Sequence, residues 1–242
     1  MPSTLSLDTA STAADPGLMG TIVGFIQNGG PFMYPILVVL AVGLGIIVER
    51  VIYLQSVKRS NQKIWNQIFP LISKGNFRQA ADAVSKSKTG IALVIGNGLE
   101  RTRTARREED VEMAMEEGLM EVLPRLETRT GYVATLANVA TLLGLLGTIL
   151  GLIAAFTAVA AADPAEKADL LSASISVAMN TTAFGLMTAI PLLLAYAFIN
   201  SMTNKIVDSM EMASIKFINI FRQASAQAAG STAQNSKKES QA

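Results

Sequence analysis

Cysteine and histidine are both missing from the 242 residues. Their absence excludes disulfides, Cys/His metal sites, thiol nucleophiles and any catalytic arrangement built on an imidazole. Carboxylates alone can hold a hard cation, but no spaced Asp/Glu loop is there to do so. Nothing resembles a phosphate loop or a nucleotide fold. We therefore expect no metal, no cofactor, no catalytic residue and no enzyme. Charge is scarce as well: Asp, Glu, Lys and Arg make up 16% of the chain and balance to a formal +1. That removes the polyelectrolyte attraction that draws proteins to nucleic acid. The first 20 residues carry no Lys or Arg, so they lack the basic start of a cleaved signal peptide. Rich in Ser, Thr, Ala and Asp, they are expected to be flexible.

Charge is wholly absent from three stretches, residues 32–48, 131–162 and 170–204. The first keeps its apolar pattern through Leu54, so all three reach the roughly 20 residues a helix needs to cross a bilayer. The expected fold class is all-α, a three-span helical membrane protein with long helices extending into a cytoplasmic helical region. The expected boundaries are an outer N-terminal segment at 1–30, membrane helix 1 at 31–55 and a cytoplasmic helical region at 56–130. Membrane helix 2 follows at 131–162, an outer loop at 163–169 and membrane helix 3 at 170–204. A cytoplasmic helix extension at 205–222 and a disordered tail at 223–242 complete the chain. Residues 20–27 are short and apolar, suited to an interfacial helix or a lead-in to the first span. Most of the 20 Lys and Arg fall between Lys58 and Arg129, and only Lys167 lies in the loop between the second and third spans. The positive-inside rule then puts the 56–130 region and the C-terminus inside, and the N-terminus and the 163–169 loop outside.

Local signals subdivide this plan. Pro70, Lys74-Gly75-Asn76 and Thr89-Gly90 divide the cytoplasmic region. Val111, Met115, Val122 and Leu126 form a packed stripe at helical spacing, and that helix is expected to run unbroken into the second span, bent by Pro124. Asp163-Pro164-Ala165-Glu166 has the form of a helix start, with cap, first-turn proline and returning acid. The loop is thus short, and spans two and three form an antiparallel hairpin. Pro191 leaves the Met187 carbonyl without its usual donor and is expected to kink the third span.

Within the spans, hydroxyls and small residues form a pattern. Thr148, Thr157, Ser174, Ser176, Asn180, Thr181, Thr182 and Thr188 sit at membrane depth, where polar groups need partners and therefore face other helices or water. Gly144, Thr148, Gly151 and Ala155 share one helix face, as do Ala178, Thr182, Gly185 and Ala189. Such stripes let backbones approach closely, and plain helix packing is the simplest role for any one of these residues.

The segments LLGLLGTILGLIAAF and ISVAMNTTAFGLMTAIP resemble the two signature segments of the MotA/TolQ/ExbB proton-channel family, in its ExbB/TolQ-like branch. The resemblance covers most of residues 135–200 and implies a bacterial inner-membrane subunit with a periplasmic N-terminus and a cytoplasmic C-terminus. It implies a homo-oligomer, a pentamer, around a dimeric ExbD/TolR-like single-span partner whose membrane aspartate carries the proton. A TonB/TolA-like transducer spanning the envelope would receive the work. Thr148 and Thr182 match the family's pore threonines, and Thr181 and Ser174 join them as expected ion-pathway residues. Gly144, Gly147, Gly151, Gly185 and Pro191 are expected to serve helix packing. The sequence departs from the family pattern at Val177, where a glutamate is usual, and at Thr141, where a proline is usual. The first departure leaves this subunit with no carboxylate of its own in the third span.

A proton relay needs a group whose pKa can be crossed, and Thr and Ser hydroxyls do not titrate near neutrality. The spans can therefore line a polar path while the titrating group comes from the partner. Alternative readings are a stator subunit of a gliding or other motility motor, and a non-conducting structural scaffold in the bilayer. A solute transporter is disfavoured by three spans without a repeat or an intramembrane charge.

Overall fold

The computed structural model describes residues 29–104 and 107–239, with side chains as far as 226. Among these residues there is no strand. Six helices follow one another: α1 (Met33–Ser73), α2 (Phe77–Ser85), α3 (Gly90–Arg101), α4 (Glu108–Glu127), α5 (Thr130–Ala161) and α6 (Lys167–Glu239). Three helical stretches, Met33–Ser73, Glu108–Ala161 and Lys167–Ala226, are long and apolar enough to cross a membrane. The protein is an all-helical, multi-pass membrane protein. The apolar stretch at 20–27 and the rest of 1–28 lie outside the described residues.

The chain divides into two compact units. The first comprises Met1–Val39 and Asn138–Ala189, and its centre is the pair formed by α5 and the first part of α6. What the α5/α6 pair buries is small: Ala140, Gly144, Gly147 and Ala155 from α5, with Ala178, Thr181, Gly185, Thr188 and Ala189 from α6. The large side chains turn outward, Leu142 at 63% exposure and Phe156 at 62%. This inverts the pattern of a soluble helix pair, because lipid places no penalty on an outward leucine and only close backbone packing rewards association. Gly144 meets Gly185 and Gly151 meets Ala178. Residue numbers rise on one helix as they fall on the other, so the pair is antiparallel. The link between them is short, closed by the Glu166 N–H donating to the Asp163 carbonyl at 3.0 Å. The helix start expected at Asp163 comes slightly later, since 164–166 form a turn and α6 begins at Lys167.

The second unit comprises Leu40–Ala137 and Ile190–Ala242. Its centre is α3, whose Ile91, Ala92, Val94, Ile95 and Leu99 are all buried. The stripe expected on α4 is buried as anticipated, with Gly118 added between Met115 and Val122. Glycine is needed there: a Cβ at Gly118 would lie 3.1 Å from the Val94 Cα. Phe77 of α2 meets Phe217 and Phe221 of α6 edge-on, each at 6.3 Å between ring centres.

The expected divisions hold at 74–76 and at 89–90, but not at Pro70, which sits inside α1. The true stop is Gly75, at φ +75. Its N–H bonds to the Ile72 carbonyl and that of Asn76 to the Leu71 carbonyl, both at 2.9 Å, the paired closure typical of a glycine C-terminus. Two further expectations are corrected. The helix before the second span is not continuous. It ends at Glu127, the Pro124 carbonyl accepts both the amide and the hydroxyl of Thr128, and Arg129 adopts φ +64. Nor does α6 stop near residue 222. It runs past Pro191 and on to Glu239, where a disordered tail was expected from 223; residues 240–242 lie outside the described residues. Alanine and glutamine make up half of residues 223–242, and both are good helix formers.

The break at Thr128-Arg129 is held by α1. Arg50 is 3% exposed. It donates to the Leu126 carbonyl, one of those left unsatisfied at a helix end, and lies over the Tyr53 ring at 4.8 Å. Its neighbour Glu49 pairs with Arg129 at 2.8 Å.

Candidate functional site

The expected ion-pathway residues lie on or beside the α5/α6 seam of the first unit, and the seam exists because glycine permits it. A Cβ at Gly185 would stand 2.8 Å from the Ala140 carbonyl oxygen and 3.0 Å from the Gly144 Cα. One at Gly151 would stand 2.9 Å from the Ala178 Cβ, and one at Gly147 would collide with the Thr181 methyl. Gly144, Gly147, Gly151 and Gly185 therefore all lie where α6 comes close to α5. Pro191 does not share in this. It is exposed and belongs to the second unit, where its neighbour Leu192 is the buried residue, lying against Gly43.

With the backbones this close, side chains on one helix reach carbonyls on the other. The Thr182 hydroxyl donates to the Gly144 carbonyl at 2.9 Å. That carbonyl is also the helical acceptor for the amide of Thr148, four residues on. Thr182 and Thr148 thus converge on a single carbonyl, one through its side chain and the other through its backbone. The Thr148 hydroxyl, half-buried, donates to the Leu145 carbonyl of its own helix at 2.7 Å. Thr181 is 2% exposed, and its hydroxyl lies 2.6 Å from the Gly29 carbonyl and 3.0 Å from that of Val177. It ties the chain just ahead of α1 to α6. Ser174 is half-buried on the same helix, about two turns before Thr181. Thr157, beyond the seam, is exposed and donates to Ile153 at 2.9 Å.

Chemically, each threonine has committed its one proton but keeps lone pairs that accept from water or a ligand. The seam can therefore orient a proton-bearing group, and it contains nothing that titrates. Val177, at the usual glutamate position, lies near Gly30, where a Cβ would meet its methyl at 3.2 Å. Among the described residues no group of three or more carboxylates is placed to hold a metal.

Sequence reasoning missed two features here. Gly29 as acceptor for Thr181 is 152 residues away in sequence, and no local pattern announces it. Ala140 continues the glycine stripe by one turn and was findable from the same spacing of four. Thr188, one of the hydroxyls expected at membrane depth, is 1% exposed, and its hydroxyl has no partner among the described residues. It falls seven residues after Thr181, on the buried face.

Comparison with known proteins fits this geometry. The family model described as the MotA/TolQ/ExbB proton channel family matches residues 86–212, which takes in α3, α4, α5 and the seam half of α6. A protein carried as a biopolymer transport protein ExbB homolog in Methanothermobacter thermautotrophicus is 28% identical over 195 residues. That match covers 80% of this chain and 68% of the relative.

Proposed function

The chain belongs to the MotA/TolQ/ExbB proton channel family, and on that premise we propose that it forms the ring of an ExbB/TolQ-like motor. In this reading five copies surround a dimeric single-span partner in the bacterial inner membrane. The N-terminus and the 163–169 loop face the periplasm, and the charged helical region lies in the cytoplasm. A carboxylate on the partner takes up a proton, is neutralised, and moves past successive subunits as it releases it. The resulting motion is passed to a transducer that spans the envelope.

One observation carries this reading: the charge-free cores of the three spans, 32–48, 131–162 and 170–204, contain no Asp, Glu, Lys, Arg or His, while on the α5/α6 seam the Thr182 hydroxyl bonds the Gly144 carbonyl. A channel built so must borrow its proton carrier, and it can offer that carrier hydrogen bonds. Low-dielectric surroundings raise a carboxylate's pKa, and threonine hydroxyls tune it. Thr148, Thr182, Thr181 and Ser174 are the proposed lining. Thr181 is the most structural of the four, because its hydroxyl is buried against Gly29.

The test separates lining from packing. Thr182→Ser keeps the hydroxyl and should keep proton flux in the complex. Thr182→Val should lower flux about tenfold, the effect of losing one hydrogen bond to a charged group, while assembly survives. Thr157→Val should be silent. Equal behaviour of Thr182→Val, Thr148→Val and Thr157→Val would assign the hydroxyls to general packing.

A further inference from the structure

The second unit encloses a cavity of about 860 Å³ that the proposed ion pathway does not use. It is walled by α1, α2, α3 and α4. Along α1 it begins at Tyr53, where the first apolar run ends, and reaches Asn61, a rise of about 12 Å. The cavity therefore starts at the level of the membrane surface.

Three features meet in it. The first is the N-terminus of α3, a 12-residue helix whose cap residue, Thr89, makes no side-chain capping bond and whose first turn carries no acid. The positive end of that helix dipole faces no counter-charge on its own helix, the arrangement that attracts phosphate. The second is Asn61, 3% exposed. Its Oδ1 accepts the Ile91 N–H at 3.3 Å, which fixes the orientation of the amide. Its Nδ2 is then a buried donor with no partner among the described residues, a state that native structures rarely leave unanswered. The third is charge. Lys88 lies two residues before Gly90, and Arg125 lies one turn beyond Val122, which a Cβ at Gly90 would meet at 2.8 Å; Arg125 is also paired to Glu121 at 2.8 Å, while Glu100 and Arg103 line the far end of the cavity.

We infer that this cavity binds a phosphate-bearing anion, seated at the start of α3 between Lys88 and Arg125. Phosphate offers acceptors in several directions at once, which suits donors arriving from α1, α3 and the α2–α3 turn. Two sources share this chemistry: the headgroup of an anionic lipid and a soluble phosphate compound. The start of the cavity at Tyr53, near the end of the expected first span, favours the lipid, since basic pockets at that level recruit anionic headgroups. The inference is independent of what the ring conducts.

The absence of native cysteine makes the test direct. In the full-length protein, Ser60→Cys places one thiol on the cavity wall, and Gln67→Cys places one on exposed α1 surface away from it. Maleimide labelling is followed in phosphatidylcholine nanodiscs, in nanodiscs containing phosphatidylglycerol, and in phosphatidylcholine with added inorganic phosphate or ATP. Slowing at Ser60→Cys about fivefold or more by phosphatidylglycerol supports the lipid headgroup, and slowing by phosphate or ATP supports the soluble source. In either case Lys88→Gln with Arg125→Gln should abolish it, because charge-assisted bonds supply most of the hold. Both are exposed, so their replacement leaves the fold intact. The inference is overturned if no arm slows labelling, or if Gln67→Cys slows equally. It is also overturned if protection survives the double substitution, or if Ser60→Cys forms a disulfide between copies, which would put a second subunit in the cavity.

Discussion

Replacing Gly185 with alanine is the sharpest probe of the α5/α6 seam. The new Cβ would lie 2.8 Å from the Ala140 carbonyl oxygen and 3.0 Å from the Gly144 Cα. Both obstacles are backbone, so neither can swing aside as a flexible side chain would. Ordinary contact begins at 3.4 Å, so the two helices must part by roughly 0.6 Å. That movement stretches the Thr182–Gly144 hydrogen bond from 2.9 Å towards the limit at which it counts as one. Overpacking of this kind costs about 1–3 kcal/mol, and an interhelical bond in a membrane contributes about 0.6–1.7 kcal/mol. The expected loss is therefore about 2–4 kcal/mol, or a fall in Tm of about 5–15 °C for a chain of this length. Gly45→Ala is the matched control, because a Cβ there meets nothing within 4 Å. Alanine also favours the helix by up to about 1 kcal/mol. Thermal unfolding of the purified protein in one detergent, followed by tryptophan fluorescence or size-exclusion, reads both variants. Equal Tm values for Gly185→Ala and the wild type, or a fall for Gly45→Ala of the same size, would refute the seam.

The other expectations concern topology and the α4–α5 break. Without native cysteine, Lys167→Cys should label with an impermeant thiol reagent from the outer side, whereas Lys74→Cys should label only after the membrane is opened; labelling of both from outside would reject the three-span topology. Arg129 holds φ +64, so Arg129→Gly relieves strain while losing only an exposed ion pair with Glu49 and should leave stability within about 1 kcal/mol of wild type. Arg129→Val, β-branched in the same backbone, should lose about 1–2 kcal/mol, and a denaturation series that ranks valine above glycine would contradict that account of the break.

Hydropathy made the three spans legible because lipid tolerates no charge over about 20 residues, a constraint that acts on every position at once. The α4 stripe at Val111, Met115, Val122 and Leu126 was legible for a similar reason, since one face must meet α3 along its whole length. The Gly144 and Gly185 stripes were readable as faces, and their antiparallel pairing followed from the short 162–166 link. What escaped were features that depend on one distant partner. Thr128-Arg129 contains neither glycine nor proline. Its break is maintained by Arg50 and Glu49 of α1, about 80 residues earlier. Thr181 finds Gly29 across 152 residues. The length of α6 escaped because compositional polarity was read as disorder, although alanine-rich sequence sustains a helix.

The central claim is that this chain lines a proton path but cannot carry the proton. Proton uptake by proteoliposomes under an imposed voltage tests it most directly, measured for the chain alone, for its complex with a single-span partner bearing one membrane aspartate, and for the complex with that aspartate changed to asparagine. The account predicts conduction only in the complex with the aspartate, because the charge-free cores of the three spans hold no Asp, Glu, Lys, Arg or His to carry the proton. Conduction by the chain alone at the rate of the complex, or undiminished conduction with the asparagine partner, would contradict it.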